Sequence, residues 1–278
     1  MTEIIRAKHA GFCFGVRSAI DKTEETLNSE EYKGKKVYTF GPLIHNKGVT
    51  DELEEKGARI LKDLSCTEPG DVVIIRSHGE GEAFYNEAED RKLEVIDATC
   101  PFVLKIHRLV RPARDEGYSV VVVGDRNHPE LQGINGWCDN QAIIINSPEE
   151  AESLEEDHLF IVAQTTIRLE LLEEILSIFK KKNKEFKVNN TICHATRERQ
   201  ESCRETAEIC DAMIIVGSRD SSNTRKLMEI AEKTCENCYF VENIEDLPLK
   251  DLLKYNKIGL AAGASTPERI IKEVISSM

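Results

Sequence analysis

The sequence has no apolar run approaching the ~20 residues that a membrane-spanning helix needs, so no such helix is expected. Met1 to Gly15 lacks the charged-then-apolar pattern of a secretory signal, and the chain is expected to work in the cytoplasm. It is also short of positive charge. Thirty-seven Lys and Arg stand against 50 Asp and Glu, for a net charge of −13. This excludes a general nucleic-acid binder, which needs a basic surface. It does not exclude an anionic substrate, because a local site can oppose the global field. A disulfide framework is excluded on two grounds. The nine cysteines are an odd number with no sign of secretion, and a chain of 278 residues already buries roughly 75% of its unfolded surface. The thiols are left with core packing, metal ligation or catalysis.

Short runs rich in Val and Ile recur along the chain: Val37 to Phe40, Val72 to Ile75, Val120 to Val123, Ala142 to Ile145, Leu159 to Ala163, Ala212 to Val216, Tyr239 to Val241 and Ile258 to Ala262. Most show no polar alternation, which predicts strands buried on both faces, as in parallel sheets. Charged amphipathic stretches lie between them, and Asp51 to Asp63 and Leu169 to Asn183 are expected as helices. Such alternation defines an α/β protein.

A repeat lies inside this alternation. From Cys13 to Cys100 is 87 residues, and from Cys100 to Cys193 is 93. Glu94 to Cys100 and Lys187 to Cys193 both read as a short strand ending at a cysteine that opens a helix. Gly41, Gly124 and Gly217 each follow a strand and lead into a polar loop. A further strand in each third ends at Ser77-His78-Gly79, Gln164-Thr165-Thr166 or Ala264-Ser265-Thr266. We read three similar α/β lobes of about 90 residues: 1–97, 98–190 and 191–278. Each has a small, mainly parallel sheet. Ligands bind at the carboxyl ends of such strands. Around a pseudo-threefold axis, three cysteines would meet in a central cavity ringed by six polar loops.

Converging thiolates point to metal or cluster chemistry. Structural zinc usually takes four protein ligands, as do most iron–sulfur clusters. Three cysteines on a four-iron cluster would leave one iron open. The loops offer histidines, hydroxyls, an Asn and a glutamate, a lining suited to a small hydroxylated or phosphorylated ligand. The other readings are plainer. A single cysteine at a strand end is commonly a small buried hydrophobe, and Cys66, Cys138, Cys203 and Cys210 are read that way. Cys235-Glu236-Asn237-Cys238 has no second pair at zinc spacing. Gly11-Phe12-Cys13-Phe14-Gly15 lacks the ending of a phosphate loop. His9, His107, His158 and His194 have no counterparts in the repeat, although His194 adjoins Cys193.

Gly11-Phe12-Cys13-Phe14-Gly15-Val16, Asp97-Ala98-Thr99-Cys100-Pro101 and Thr191-Ile192-Cys193-His194-Ala195-Thr196, followed by Arg199-Gln200, resemble the three cysteine motifs of the 4-hydroxy-3-methylbut-2-enyl diphosphate reductase family. His45-Asn46, Ser77-His78-Gly79, His128-Pro129-Glu130, Gln164-Thr165-Thr166, Ser221-Ser222-Asn223 and Gly263-Ala264-Ser265 follow the family's other signatures in order, so the resemblance spans essentially the whole chain. It implies three lobes about a central cavity. Cys13, Cys100 and Cys193 would hold a [4Fe–4S] cluster with one open iron. His45, His78, His128, Ser221, Ser222, Asn223 and Ser265 would bind the substrate diphosphate. Thr165, and more weakly Thr166, would lie near the substrate hydroxyl. Glu130 would deliver protons, with Asp97 as its rival unless Asp97 caps the helix opened near Cys100.

The implied reaction is reductive dehydroxylation of the allylic diphosphate to isopentenyl and dimethylallyl diphosphates, closing the non-mevalonate isoprenoid route. An electron donor such as ferredoxin or flavodoxin is implied, and neither nucleic acid nor membrane. Two departures are modest: Leu131 replaces a common valine, and Pro112 falls inside the helix after Cys100, where it should remove a hydrogen bond and kink it. The alternatives are a cluster-dependent hydro-lyase, which would need no reductant, and an iron–sulfur redox sensor, which would usually carry a DNA-binding or partner module. We expect Cys13→Ser, Cys100→Ser or Cys193→Ser to abolish or severely lower iron and sulfide content after anaerobic purification. Substitution of Cys235 or Cys238 should leave it unchanged, and equal loss from that pair would overturn the choice of ligands.

Overall fold

The computed structural model describes residues 2–278. Its strands, in chain order, are β1 (Glu3–Arg6), β2 (Val37–Phe40), β3 (Ala58–Leu61), β4 (Val72–Ile75), β5 (Glu94–Asp97), β6 (Ser119–Val123), β7 (Ile143–Ile145), β8 (Leu159–Ala163), β9 (Phe186–Val188), β10 (Ala212–Val216), β11 (Cys238–Val241) and β12 (Lys257–Ala262). They form three four-stranded sheets, and every pairing is parallel. The α/β class and the small parallel sheets read from the sequence are what the chain adopts.

Burial explains why the apolar runs become strands. All four residues of β4 are wholly buried. In β6, successive side chains point to opposite faces. Val121 and Val123 pack with Ile175 and Phe179 of the helix Leu169–Lys181. Val120 and Val122 pack with Ile106 and Val110 of the helix Pro101–Asp115. Sheets covered on both faces need the continuous hydrophobic strands that the sequence shows.

The strand orders are β3-β2-β4-β5, β7-β6-β8-β9 and β11-β10-β12-β1. Written from the corresponding edge they are one topology, and the repeat in the sequence is a repeat of strand order. The third sheet takes its fourth strand from the far end of the chain. β1 pairs with β12, Ile4 beside Ile258 and Ile5 beside Gly259, so residues 3–6 sit in the sheet of the last ninety residues. In each case the fourth strand runs on toward a cysteine: β5 toward Cys100, β9 toward Cys193, β1 toward Cys13.

The chain divides into two compact units. One comprises Met1–Val16, His45–Val49 and Cys193–Met278 and contains the sheet that includes β1. The other comprises Arg17–Ile44 and Thr50–Ile192 and contains the remaining two sheets.

One local expectation changes. The helix expected over Asp51 to Asp63 runs instead from Lys47 to Glu55. Gly57, at φ 111°, lies in a backbone region that favours glycine and so ends the helix, after which the chain extends as β3. The helix Pro101–Asp115 carries Pro112 inside it and runs through to Asp115. A proline this close to the carboxyl end leaves only a short stretch of helix beyond it.

In the two-sheet unit, the loop after β4 meets the helix Pro129–Gly136 through glycines. A Cβ on Gly136 would stand 2.6 Å from the Gly81 Cα, and one on Gly133 would stand 3.2 Å from the Gly79 carbonyl oxygen. Backbone atoms cannot swing aside as a flexible side chain can. Gly136→Ala is therefore expected to cost about 1–3 kcal/mol of stability, seen as a lower denaturation midpoint. An unchanged midpoint would mean that this approach is not close.

Candidate active site

In the two-sheet unit, functional side chains gather where parallel strands end. β4 and β5 end side by side, Ile75 next to Asp97. Just beyond, the Cys100 N–H donates to the Ser77 carbonyl at 3.0 Å. Cys100 is the N-cap of the helix Pro101–Asp115, with Pro101 as its first residue. A helix N-terminus favours negative charge, which suits a thiolate. Asp97 does not cap this helix. Its Oδ1 accepts from the Thr99 N–H at 2.9 Å, and its Oδ2 accepts from the Tyr85 hydroxyl at 3.1 Å. The carboxylate thus shapes the turn that delivers Cys100. Gly79 follows at φ 73°, where a Cβ would strike His107 at 2.7 Å and Thr99 at 2.9 Å.

β6 and β8 likewise end together, Val123 next to Ala163. His128 caps the helix Pro129–Gly136, its Nδ1 accepting from the Glu130 N–H at 3.2 Å. That bond puts the proton of the neutral ring on Nε2, a donor for an anion. The His78 and His128 rings stand edge to face with centroids 5.3 Å apart, which joins the loop after β4 to the loop after β6. Glu130 was expected in a loop, but it lies in the first turn of this helix and is 1% exposed. Its Oε1 accepts from the Thr165 N–H and its Oε2 from the Thr165 hydroxyl, both at 2.7 Å. Burial pushes the carboxyl up to about 7, against the opposing pull of the Thr165 bonds. Gln164 braces the same loops. Its Oε1 accepts from the Asp125 N–H at 3.0 Å, and its Nε2 donates to the Thr166 hydroxyl at 3.0 Å.

The other unit repeats the arrangement. Val216 at the end of β10 lies beside Ala262 at the end of β12. Ser221 caps the helix Ser222–Glu232, and Ser222 and Asn223 fill its first positions, all three buried. A helix start with such side chains is a ready anion site. Asn223 is 3% exposed, and neither Oδ1 nor Nδ2 finds a partner among the described residues. A buried amide left so is costly, and a bound phosphoryl group would satisfy its N–H. The Ser265 hydroxyl donates to the His45 carbonyl at 3.1 Å. The Cys13 N–H donates to the Ala264 carbonyl at 3.0 Å, and the Cys13 sulfur accepts from the Val16 N–H at 3.4 Å. Cys193 caps the helix His194–Ala207.

One unit thus brings together Cys100, His78, His128, Glu130 and Thr165. The other carries Cys13, Cys193, His45, Ser221, Ser222, Asn223 and Ser265. None of these three cysteines is in a disulfide, and each stands at a helix start; cysteine thiolates are the usual protein ligands of iron–sulfur clusters. His194 turns to Glu198, Nδ1 to Oε2 at 3.2 Å. Cys203, Cys210 and Cys238 are pushed up to about 12, 11 and 12 by burial. They remain protonated thiols packed about the helices of the third sheet. Arg199 belonged to a motif but had no role in the sequence reading. It is buried between the Cys13 and Cys193 segments.

Parallel sheets with polar side chains gathered at their strand ends define an α/β protein of the kind that takes a small ligand there. A family model, LytB protein, matches residues 4–278, and the chain belongs to this family, which carries an iron–sulfur cluster. Among curated relatives, the 4-hydroxy-3-methylbut-2-enyl diphosphate reductase of Caldanaerobacter subterraneus subsp. tengcongensis is 44% identical over 99% of this chain and 96% of its own length. The reductase of that name from Clostridioides difficile is 43% identical over 97% of this chain and 96% of its own. Among solved structures, the Plasmodium falciparum E-1-hydroxy-2-methyl-but-2-enyl-4-diphosphate reductase aligns with a TM-score of 0.93 at 30% identity, covering 99% of this chain and 87% of that one. A second, described as the terminal enzyme of the non-mevalonate pathway, aligns at 0.71 and 41% identity, covering 99% and 98%.

Asn223→Ala should weaken binding of inorganic pyrophosphate, measured by calorimetry, by about 1.5–3 kcal/mol, roughly ten- to a hundredfold. Wild-type affinity in a folded variant would move the anion site elsewhere.

Proposed function

We propose that this chain reduces 4-hydroxy-3-methylbut-2-enyl diphosphate to isopentenyl and dimethylallyl diphosphates. In this reading Cys13, Cys100 and Cys193 hold one [4Fe–4S] cluster through three thiolates, with one iron left open. The observation that supports it best is the Glu130 carboxyl, buried, clamped by Thr165 and pushed up to about 7. It lies in the same unit as Cys100 and the two facing imidazoles. Full-length similarity to named reductases supports the same substrate.

The cluster, when bound, supplies electrons one at a time and a Lewis-acidic iron. The protein's own groups do the rest. His45, His78, His128, Ser221, Ser222, Asn223 and Ser265 hold the diphosphate through imidazole, hydroxyl and amide donors and a helix N-terminus, a local anion site in a chain of net charge −13. Binding energy spent on the diphosphate, remote from the reacting carbon, positions the hydroxyl. The Thr165 hydroxyl, joined to Glu130 Oε2, faces the substrate oxygen, and Thr166 supports it from the next position. Hydroxide leaves poorly, so Glu130 protonates it as the C–O bond breaks. Two electrons and two protons are consumed and one water leaves. The second proton goes to either end of the allylic fragment, which accounts for two products. The electrons come from a small one-electron donor such as ferredoxin or flavodoxin.

Glu130→Gln keeps the size of the side chain and removes the acid. Its turnover with excess chemical reductant should fall by about 10²–10⁴, with iron and sulfide content unchanged. An acid with its pKa raised to about 7 is protonated below that pH. The wild-type kcat/KM should therefore decline as pH rises through 7, and the Gln variant should lose this limb. Near-normal turnover by the Gln variant would assign the proton to another group, and product formation without reductant would favour a hydro-lyase.

A further inference from the structure

Arg199 stands on the second turn of the helix His194–Ala207 and is 7% exposed. One guanidinium nitrogen, Nη1, donates to the Ala195 carbonyl at 2.8 Å. The other, Nη2, donates to the Gly11 carbonyl at 2.7 Å. Gly11 is two residues before Cys13, and Ala195 is two residues after Cys193. A single planar group therefore ties the two cysteine segments of this unit at equivalent distances along the chain. Gly11 fits the arrangement closely. It sits at φ 91°, and a Cβ there would lie 3.1 Å from the Ile271 side chain.

The charge has little direct compensation: Glu198 favours it electrostatically but forms no ion pair with it. Among the described residues no carboxylate pairs with Arg199, and its Nε is buried without a partner. A buried cation with only carbonyl partners is costly. Burial pushes the guanidinium down, and Cys13 and Cys193, when ionised, act most strongly in the opposite sense. The cost makes sense if a negative charge resides there in the working protein. A [4Fe–4S]²⁺ core on three thiolates carries −1, and one-electron reduction makes it −2. A fixed cation nearby stabilises the second state more than the first.

We propose that Arg199 is a positioning residue that tethers the Cys13 and Cys193 segments and whose buried positive charge raises the reduction potential of the cluster they hold. This rests on the reading of Cys13 and Cys193 as cluster ligands. The wild type, Arg199→Gln and Arg199→Lys are reconstituted anaerobically with iron and sulfide. Each is then followed by spectroelectrochemical titration and by the rate of iron loss to a chelator. Loss of the charge in Arg199→Gln should lower the ratio of reduced to oxidised cluster at fixed potential by about tenfold, which is 59 mV for one electron, and should speed iron loss. Arg199→Lys keeps the charge but cannot span both carbonyls. It should hold a potential near that of the wild type while losing iron faster.

A loaded Gln variant with wild-type potential and wild-type iron retention overturns the proposal. Should the Gln variant take up no cluster, the Lys variant decides. A near-normal potential with faster iron loss supports the two roles, and a potential displaced tenfold or more in that ratio overturns the charge role. A wild type that binds no cluster would instead overturn the ligand assignment on which the inference stands, a separate outcome from either.

Discussion

Parallel strand pairing is the constraint on which the rest of this protein depends. It forces every strand of a sheet to end on the same side, so the loops after β4 and β5, after β6 and β8, and after β10 and β12 emerge as neighbours. Nothing else in the sequence would bring Ser77 beside Cys100, Glu130 beside Thr165, or Ala264 beside Cys13. The same pairing demands buried strands, since helices must cross over both faces. The hydrophobic runs and the polar loops at their ends are therefore two aspects of one requirement.

The polar groups at those ends carry most of the local cost. Among the described residues Asn223 is buried with neither amide atom partnered and Arg199 is a buried cation that no carboxylate pairs with, while Glu130 is a carboxyl held where ionisation is penalised. Each would be unfavourable in a protein selected for stability alone. Each becomes reasonable opposite a ligand: an anion for the amide, a negatively charged cluster for the guanidinium, a leaving hydroxide for the acid. Strain of this kind at functional sites is offset by the dense apolar packing of the three sheets.

The sequence revealed the central strands almost residue for residue, because Val72 to Ile75 or Leu159 to Ala163 are uninterrupted apolar runs. It also revealed the strand-end cysteines, because β5 and β9 lead directly into Cys100 and Cys193. Two of the edge strands, β1 and β3, were missed. β1 is Glu-Ile-Ile-Arg and β3 is Ala-Arg-Ile-Leu, and the charges that protect an exposed edge from pairing with another chain also hide it from a hydrophobicity pattern. Asp51 to Asp63 looked helical for this reason, with Gly57 the overlooked stop. The roles of Glu130 and Asp97 depended on partners 35 and 12 residues away, Thr165 and Tyr85, and no local pattern encodes such pairings. Arg199 was visible as part of a motif, but its grip on Gly11, 188 residues distant, belongs to tertiary structure alone.

The placement of β1 has a consequence for how the molecule is made. β1 is synthesised well before its partner β12, with Glu3 beside Lys257. The two intervening sheets are built from contiguous stretches of chain and can close as synthesis proceeds. The third sheet must wait for β12, and its edge strand bears the long loop-closure delay that slows non-local pairing. The Cys13 N–H is held by Ala264, so this thiol takes its place only once β12 has been delivered. A chain that lacked β12 would leave both β1 and the Cys13 segment without the partners that hold them.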